Sequence, residues 1–107
     1  MTANEFRRIA LSLPETAEHS HMGHPDFRVN DRIFATLGYP DDDHGMVILP
    51  PDQQGDFVRE YPDVFSPAKG AWGKSGSTIV RLAGVNKQTL QRAIELAWRK
   101  RARISAP

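Results

Sequence analysis

Asp26-Phe27-Arg28-Val29-Asn30-Asp31-Arg32-Ile33-Phe34-Ala35-Thr36-Leu37 reads as two β-strands joined by a tight turn. Asn30-Asp31 supplies the turn, with apolar and polar residues alternating on either side of it. Successive side chains on a strand point to opposite faces, so a period of two places Phe27, Val29, Ile33, Ala35 and Leu37 on a core face. Arg28 and Arg32 then point the other way.

The segments on either side supply what would cover the apolar face. Thr2 and Glu5 have capping-box spacing, and Phe6, Ile9, Ala10 and Leu13 form one apolar stripe on a helix over about 3–13, stopped by Pro14. Ala17 to Met22 could form an edge strand. After a polar loop carrying Asp41, Asp42 and Asp43, Met46 to Leu49 reads as a further strand. Pro50-Pro51-Asp52 opens a second helix, with Phe57, Val58 and Tyr61 as its apolar content and Pro62 at its end. Val64 and Phe65 are expected to tuck onto the core. Thr78 to Leu82 is the last strand, with Thr78, Val80 and Leu82 facing inward. Asn86 caps a long final helix whose Leu90, Ala93, Ile94, Ala97 and Trp98 follow helical spacing. This order predicts an α+β fold, an antiparallel sheet with helices packed on one face. The uncovered face would show Arg28, Arg32 and Arg81.

The chain has 107 residues, enough for one domain over 1–107 with one modest core. It has no cysteine, which excludes disulfides, thiolate metal sites and a cysteine nucleophile and suits a reducing compartment. No apolar run approaches the ~18 residues of a membrane span, and the start has a helical pattern where a secretory signal would have an apolar block, so a cytoplasmic protein is expected. The net charge of +1 hides an asymmetry: residues 66–107 hold nine of the fourteen Lys/Arg and one of the thirteen acids. Such a distribution is either a set of solvated faces or an electrostatic footprint for a polyanion.

Between the second helix and the last strand, Ser66 to Leu82 holds Trp72 among glycines, with Lys69 and Lys74 on either side. Either Trp72 folds back as a lid on the core, or it stands exposed where an indole can stack on a base while the lysines meet phosphates. Gly73-Lys74-Ser75 resembles the end of a P-loop. The first glycine position is Ala68, however, no strand is expected before the loop, and a strand is expected after it, so nucleotide hydrolysis is disfavoured. His19, His21 and His24 could supply three nitrogens to a metal but lack a fourth partner, and the aspartate run lacks the glycine and distal glutamate of a calcium loop. No serine sits in an elbow motif. The expectation is a protein without catalytic residues, metal or other cofactor.

Gly23-His24-Pro25-x-Phe27-Arg28-Val29, Ile33-Phe34-Ala35-Thr36-Leu37, and Gly70-x-Trp72-Gly73 followed by Gly76, Thr78 and Val80-Arg81-Leu82 resemble the MmcQ/YjbR family over nearly the whole chain. The resemblance implies a frataxin-like (CyaY-like) α/β sandwich, or double wing, and a DNA-binding protein. Ser77 stands where many relatives are expected to carry an aromatic. Frataxin's acidic first helix has no counterpart, since Arg7 and Arg8 share this helix with only Glu5, which disfavours iron delivery.

The functional expectation is a small nucleic-acid-binding domain with DNA as partner, using Lys69, Trp72, Lys74, Arg81, Arg99, Lys100, Arg101 and Arg103, with Arg28 and Arg32 on the open sheet face. The alternatives are a protein-interaction or small-ligand module built on the same loop and, more distantly, a histidine metal site.

Overall fold

The computed structural model describes residues 1–103. Six antiparallel strands form one open sheet in the order β1-β2-β3-β4-β6-β5. The strands are β1 (Ala17–His21), β2 (His24–Val29), β3 (Arg32–Leu37), β4 (His44–Ile48), β5 (Phe65–Pro67) and β6 (Ser77–Arg81). The helices are α1 (Ala3–Leu11), α2 (Pro51–Glu60), the single-turn α3 (Gly70–Lys74) and α4 (Lys87–Ala102).

α1 begins at the anticipated capping box, in which the Thr2 hydroxyl accepts from the Glu5 amide at 3.1 Å and the Glu5 carboxylate accepts from the Thr2 amide at 3.0 Å. The Asn86 side chain caps α4 by accepting from the Thr89 amide at 2.8 Å. Leu90, Ala93, Ile94, Ala97 and Trp98 are buried, and the Trp98 indole N–H donates to the Pro14 carbonyl. α1, α2 and α4 lie on the same face of the sheet as Phe27, Ala35, Val47 and Val80, with which they form one core. Gly45 on β4 lets Phe6 of α1 reach the sheet, because a Cβ there would lie 2.8 Å from the phenyl ring. Phe57 of α2 packs on Phe65 of β5, ring centroids 5.0 Å apart.

The central hairpin turns as expected, with Asn30 and Asp31 both in the left-handed region at φ 52° and 61°. Its register departs from strict alternation. Phe27 pairs with Ala35 and Arg28 with Ile33, so Phe34 is an extra residue on β3, a β-bulge. Phe34 and Ala35 both turn into the core and are fully buried. Ile33, expected in the core, is carried to the open face opposite Arg28, since one inserted residue inverts the alternation beyond it.

The segment before the last strand also differs from expectation. Phe65–Pro67 pairs with β6, so a strand does precede the glycine-rich stretch, and that stretch winds into α3. Gly73-Lys74-Ser75 falls at the end of this helical turn, not ahead of a helix, so it cannot act as a phosphate-binding loop. The two glycines serve the protein's own packing. A Cβ on Gly73 would lie 1.9 Å from the Ala68 carbonyl oxygen, and one on Gly76 would lie 1.8 Å from that of Leu49. Gln54, buried on α2, donates from Nε2 to the Gly73 carbonyl at 3.0 Å and to Thr78 Oγ1 at 3.1 Å. The Lys100 ammonium donates to the Ser75 and Leu49 carbonyls at 3.2 and 3.4 Å. α3 is therefore clamped from two helices and presents Trp72 from a fixed base.

Candidate functional site

The sheet face opposite the helices carries a cavity of about 810 Å³. Its floor follows from the register. Arg28 faces Ile33, Thr36 faces Met46, and Ile48 faces Ser77, and all six line the cavity. The rim holds Met22, Tyr39 and Trp72, exposed by 91, 45 and 75%. Among the described residues only one other large hydrophobic side chain, Leu11, is exposed. Exposed apolar groups gathered in this way mark a binding surface, whereas scattered ones need no explanation. The indole thus takes the exposed of its two expected positions.

Four cations line the cavity, Arg28, Arg32, Lys69 and Arg101. Arg28 is held by Asp26, its Nε donating to Oδ1 at 2.8 Å and an Nη to Oδ2 at 3.2 Å. Arg101 reaches from the end of α4 and donates from Nε to the Ile33 carbonyl at 3.0 Å. Among the described residues no carboxylate lies within ion-pair distance of Arg32, Lys69 or Arg101. Asp31 also lines the cavity, so the rim is not purely cationic.

The other expected contact residues lie elsewhere. Arg81 shares the open face by register but stands at the end of β6, donating from Nε to the Asp63 carbonyl at 3.0 Å. Arg99 pairs with Glu95 one helical turn back at 3.2 Å. Lys100 is committed to the two carbonyls that hold α3, and burial pushes its ammonium below the usual lysine range. Lys74 and Arg103 are exposed, outside the cavity lining. The basic tail does not close into one continuous patch. Two of its nine cations, Lys69 and Arg101, meet the two arginines of the hairpin.

Asp26 is the site residue that the sequence reading missed. It is fully buried beneath the rim, and besides Arg28 it contacts His21 Nδ1 at 2.8 Å. The hydrogen bonds from Arg28, with a smaller contribution from His21, hold its carboxyl below the usual aspartate range against the opposing effect of burial. The available signal was the spacing: an aspartate two residues before an arginine on one strand puts both on the same face. A carboxyl whose folded-state value is depressed contributes stability that is fully present above its unfolded value and lost as pH falls through the folded one. Stability should therefore decline below about pH 4. Asp26→Asn should lower stability by about 2 kcal/mol at neutral pH, because Arg28 loses its ionic partner but can turn towards water. It should also flatten that acid-side decline, which denaturant titrations from pH 3 to 7 would reveal. Equal acid sensitivity in the variant would contradict the assignment.

His21 is thus engaged with Asp26, and His24 packs beside Gly38, whose added Cβ would meet the imidazole at 2.9 Å. Among the described residues no group of three His, Asp or Glu side chains is placed to hold a metal ion. The aspartate loop closes on itself, Asp41 accepting from the Asp43 amide and contacting the His44 ring. No helix of the described chain is long and apolar enough to cross a membrane.

A single open antiparallel sheet, helices on one face and a cation-rimmed cavity on the other, defines a small α+β domain with a bare concave face. The chain belongs to the YjbR family, whose model matches residues 11–100. It is similar in structure to Deinococcus radiodurans protein DR2400, described as a DUF419 domain. The TM-score is 0.77 at 18% identity, covering 91% of this chain and 75% of that one. At that identity the likeness is one of fold. No curated protein matches the sequence.

Proposed function

We propose that this chain is a non-enzymatic nucleic-acid-binding domain that receives single-stranded segments on its bare sheet face. The observation that carries this reading is the exposed indole of Trp72 standing with Arg28, Arg32, Lys69 and Arg101 around one apolar-floored cavity. An indole offers a stacking surface to any base, and guanidinium and ammonium groups beside it meet the backbone phosphates. A concave face takes an unstacked base, which a duplex does not offer and a single strand does. The acidic loop at Asp41–Asp43 would discourage indiscriminate adsorption of polyanions.

The cation count sets the salt dependence. Arg28 is charge-compensated by Asp26, so even where its free Nη donors meet a phosphate it adds little to counterion release, and Arg32, Lys69 and Arg101 set the slope. Three contacts on a single strand give a slope of log affinity against log salt of about −2. Fluorescence anisotropy with a labelled single strand tests this directly. Arg32→Gln with Lys69→Gln should reduce the slope to about −1, whereas an unchanged slope would place the contacts elsewhere.

A further inference from the structure

We propose that Arg28 and Arg101 form a seat for one phosphate monoester, so that the cavity takes a single nucleotide: a free nucleoside monophosphate, or the phosphorylated end of a strand. This deepens the nucleic-acid reading and rests on it.

The two arginines come from different elements, Arg28 from β2 and Arg101 from the end of α4, and both are fixed, Arg28 through Nε and one Nη and Arg101 through Nε. Arg28 is fixed on buried Asp26 at 2.8 Å, and Arg101 on the main chain of Ile33 at 3.0 Å. Ile33 is the cross-strand partner of Arg28, so the residue that anchors Arg101 is a neighbour of the one carrying the other guanidinium. These anchors fix the plane of each guanidinium and leave one Nη group of Arg28 and both of Arg101 for a ligand, which suit the several acceptor oxygens of a terminal phosphate. The phase change at Phe34 is what turns the Ile33 side chain to this face beside Arg28.

The remaining cavity matches the other part of such a ligand. Its volume of about 810 Å³ lies in the range of small-molecule sites. Ile33, Met46 and Ile48 give it an apolar floor, and Trp72 and Tyr39 supply aromatic surface for a base. A phosphate diester within a strand offers one negative charge to this seat, whereas a terminal monoester offers close to two.

Thymidine monophosphate, thymidine and inorganic phosphate would be titrated against the intrinsic fluorescence of the intact chain. Trp72 lines the cavity and Trp98 does not, so a ligand-dependent change in the signal reports on the cavity. In parallel, an oligothymidylate of about ten nucleotides would be compared with and without a terminal phosphate. The monophosphate should bind at least about tenfold more tightly than the nucleoside, and the phosphorylated strand should show a similar gain over the unphosphorylated one. Arg101→Gln should abolish both gains. Arg101→Lys, which retains the charge but loses the fork, should restore less than half of either gain on a logarithmic scale. Arg92→Gln, which removes a cation over the Phe57 ring on the helical side, should change neither gain. Thermal melts of each variant would exclude unfolding as the cause. If strands bind with no preference for a terminal phosphate and the monophosphate does not bind, the seat is wrong while the nucleic-acid reading stands. If neither strands nor monophosphate bind, both are wrong.

Discussion

Gly76→Ala should come close to unfolding the protein. Gly76 sits at φ +110°, a conformation that residues with a side chain rarely adopt, and its Cβ would lie 1.8 Å from the Leu49 carbonyl oxygen and 3.0 Å from the carbonyl carbon. The neighbour is main chain that cannot step aside, because the Leu49 amide itself donates to the Gly76 carbonyl at 2.9 Å. Backbone strain and overlap together should cost about 4 kcal/mol. The melting temperature followed by circular dichroism should then fall by roughly 20 °C. Gly70→Ala separates the two causes, since Gly70 also has positive φ, at 68°, but nothing lies within 4 Å of its added Cβ. Its loss should be about 1 kcal/mol. Similar losses for both variants, or a Gly76→Ala melt close to that of the parent, would mean that Gly76 is not packed on the Leu49 main chain as described.

Trp72→Ala should weaken binding of a single strand by roughly tenfold to a hundredfold, the value of one base stacked on an aromatic ring. The side chain is three-quarters exposed, so the fold should lose no more than about 0.5 kcal/mol. Binding loss without stability loss is the signature of an indole that serves a ligand. Unchanged affinity would remove the indole from the interface, and a large drop in melting temperature would restore it to the core. Trp98→Ala is the natural contrast, because that ring is buried and its N–H is satisfied by Pro14, so its loss should be felt mainly in stability.

Much of the fold is legible in the sequence because its longer elements follow a single period. α4 repeats its apolar residues at helical spacing from Leu90 to Trp98, more than two turns, and Asn86 marks its start. Where the sequence misled, a tertiary contact had overridden a local pattern. The Gly-Ala-Trp-Gly-Lys of α3 has poor helix propensity and is held by Gln54 and Lys100, residues 19 and 25 positions away from their partners Gly73 and Ser75. The three residues of β5 include a proline and carry too little alternation to be read, and their pairing with β6 comes from the sheet. The bulge at Phe34 leaves no mark in an alternating stretch, so alternation alone puts Ile33 on the core face and the register puts it on the other.

The candidate site was legible in its parts but not in their assembly. Trp72, Lys69, Arg28, Arg32 and Arg101 were identifiable as residue types that suit a polyanion. Charge counts along a chain do not say which cations point together, and the backbone carbonyls that occupy Lys100 and Arg81 are invisible to them. Beyond its spacing from Arg28, Asp26 carries no sign of its role in the sequence, where it is only the first residue of an alternating stretch. Its meaning here comes from His21 and Arg28 closing over it.

The most direct test of the bare sheet face as a nucleic-acid site is the affinity of a labelled single strand for the wild-type chain and for Trp72→Ala, followed by anisotropy across a series of salt concentrations. Saturable binding with a logarithmic salt slope of about −2, weakened at every salt concentration by loss of the indole, is the predicted result. Absence of saturable binding even at the lowest salt, or binding indifferent to the indole, would contradict it.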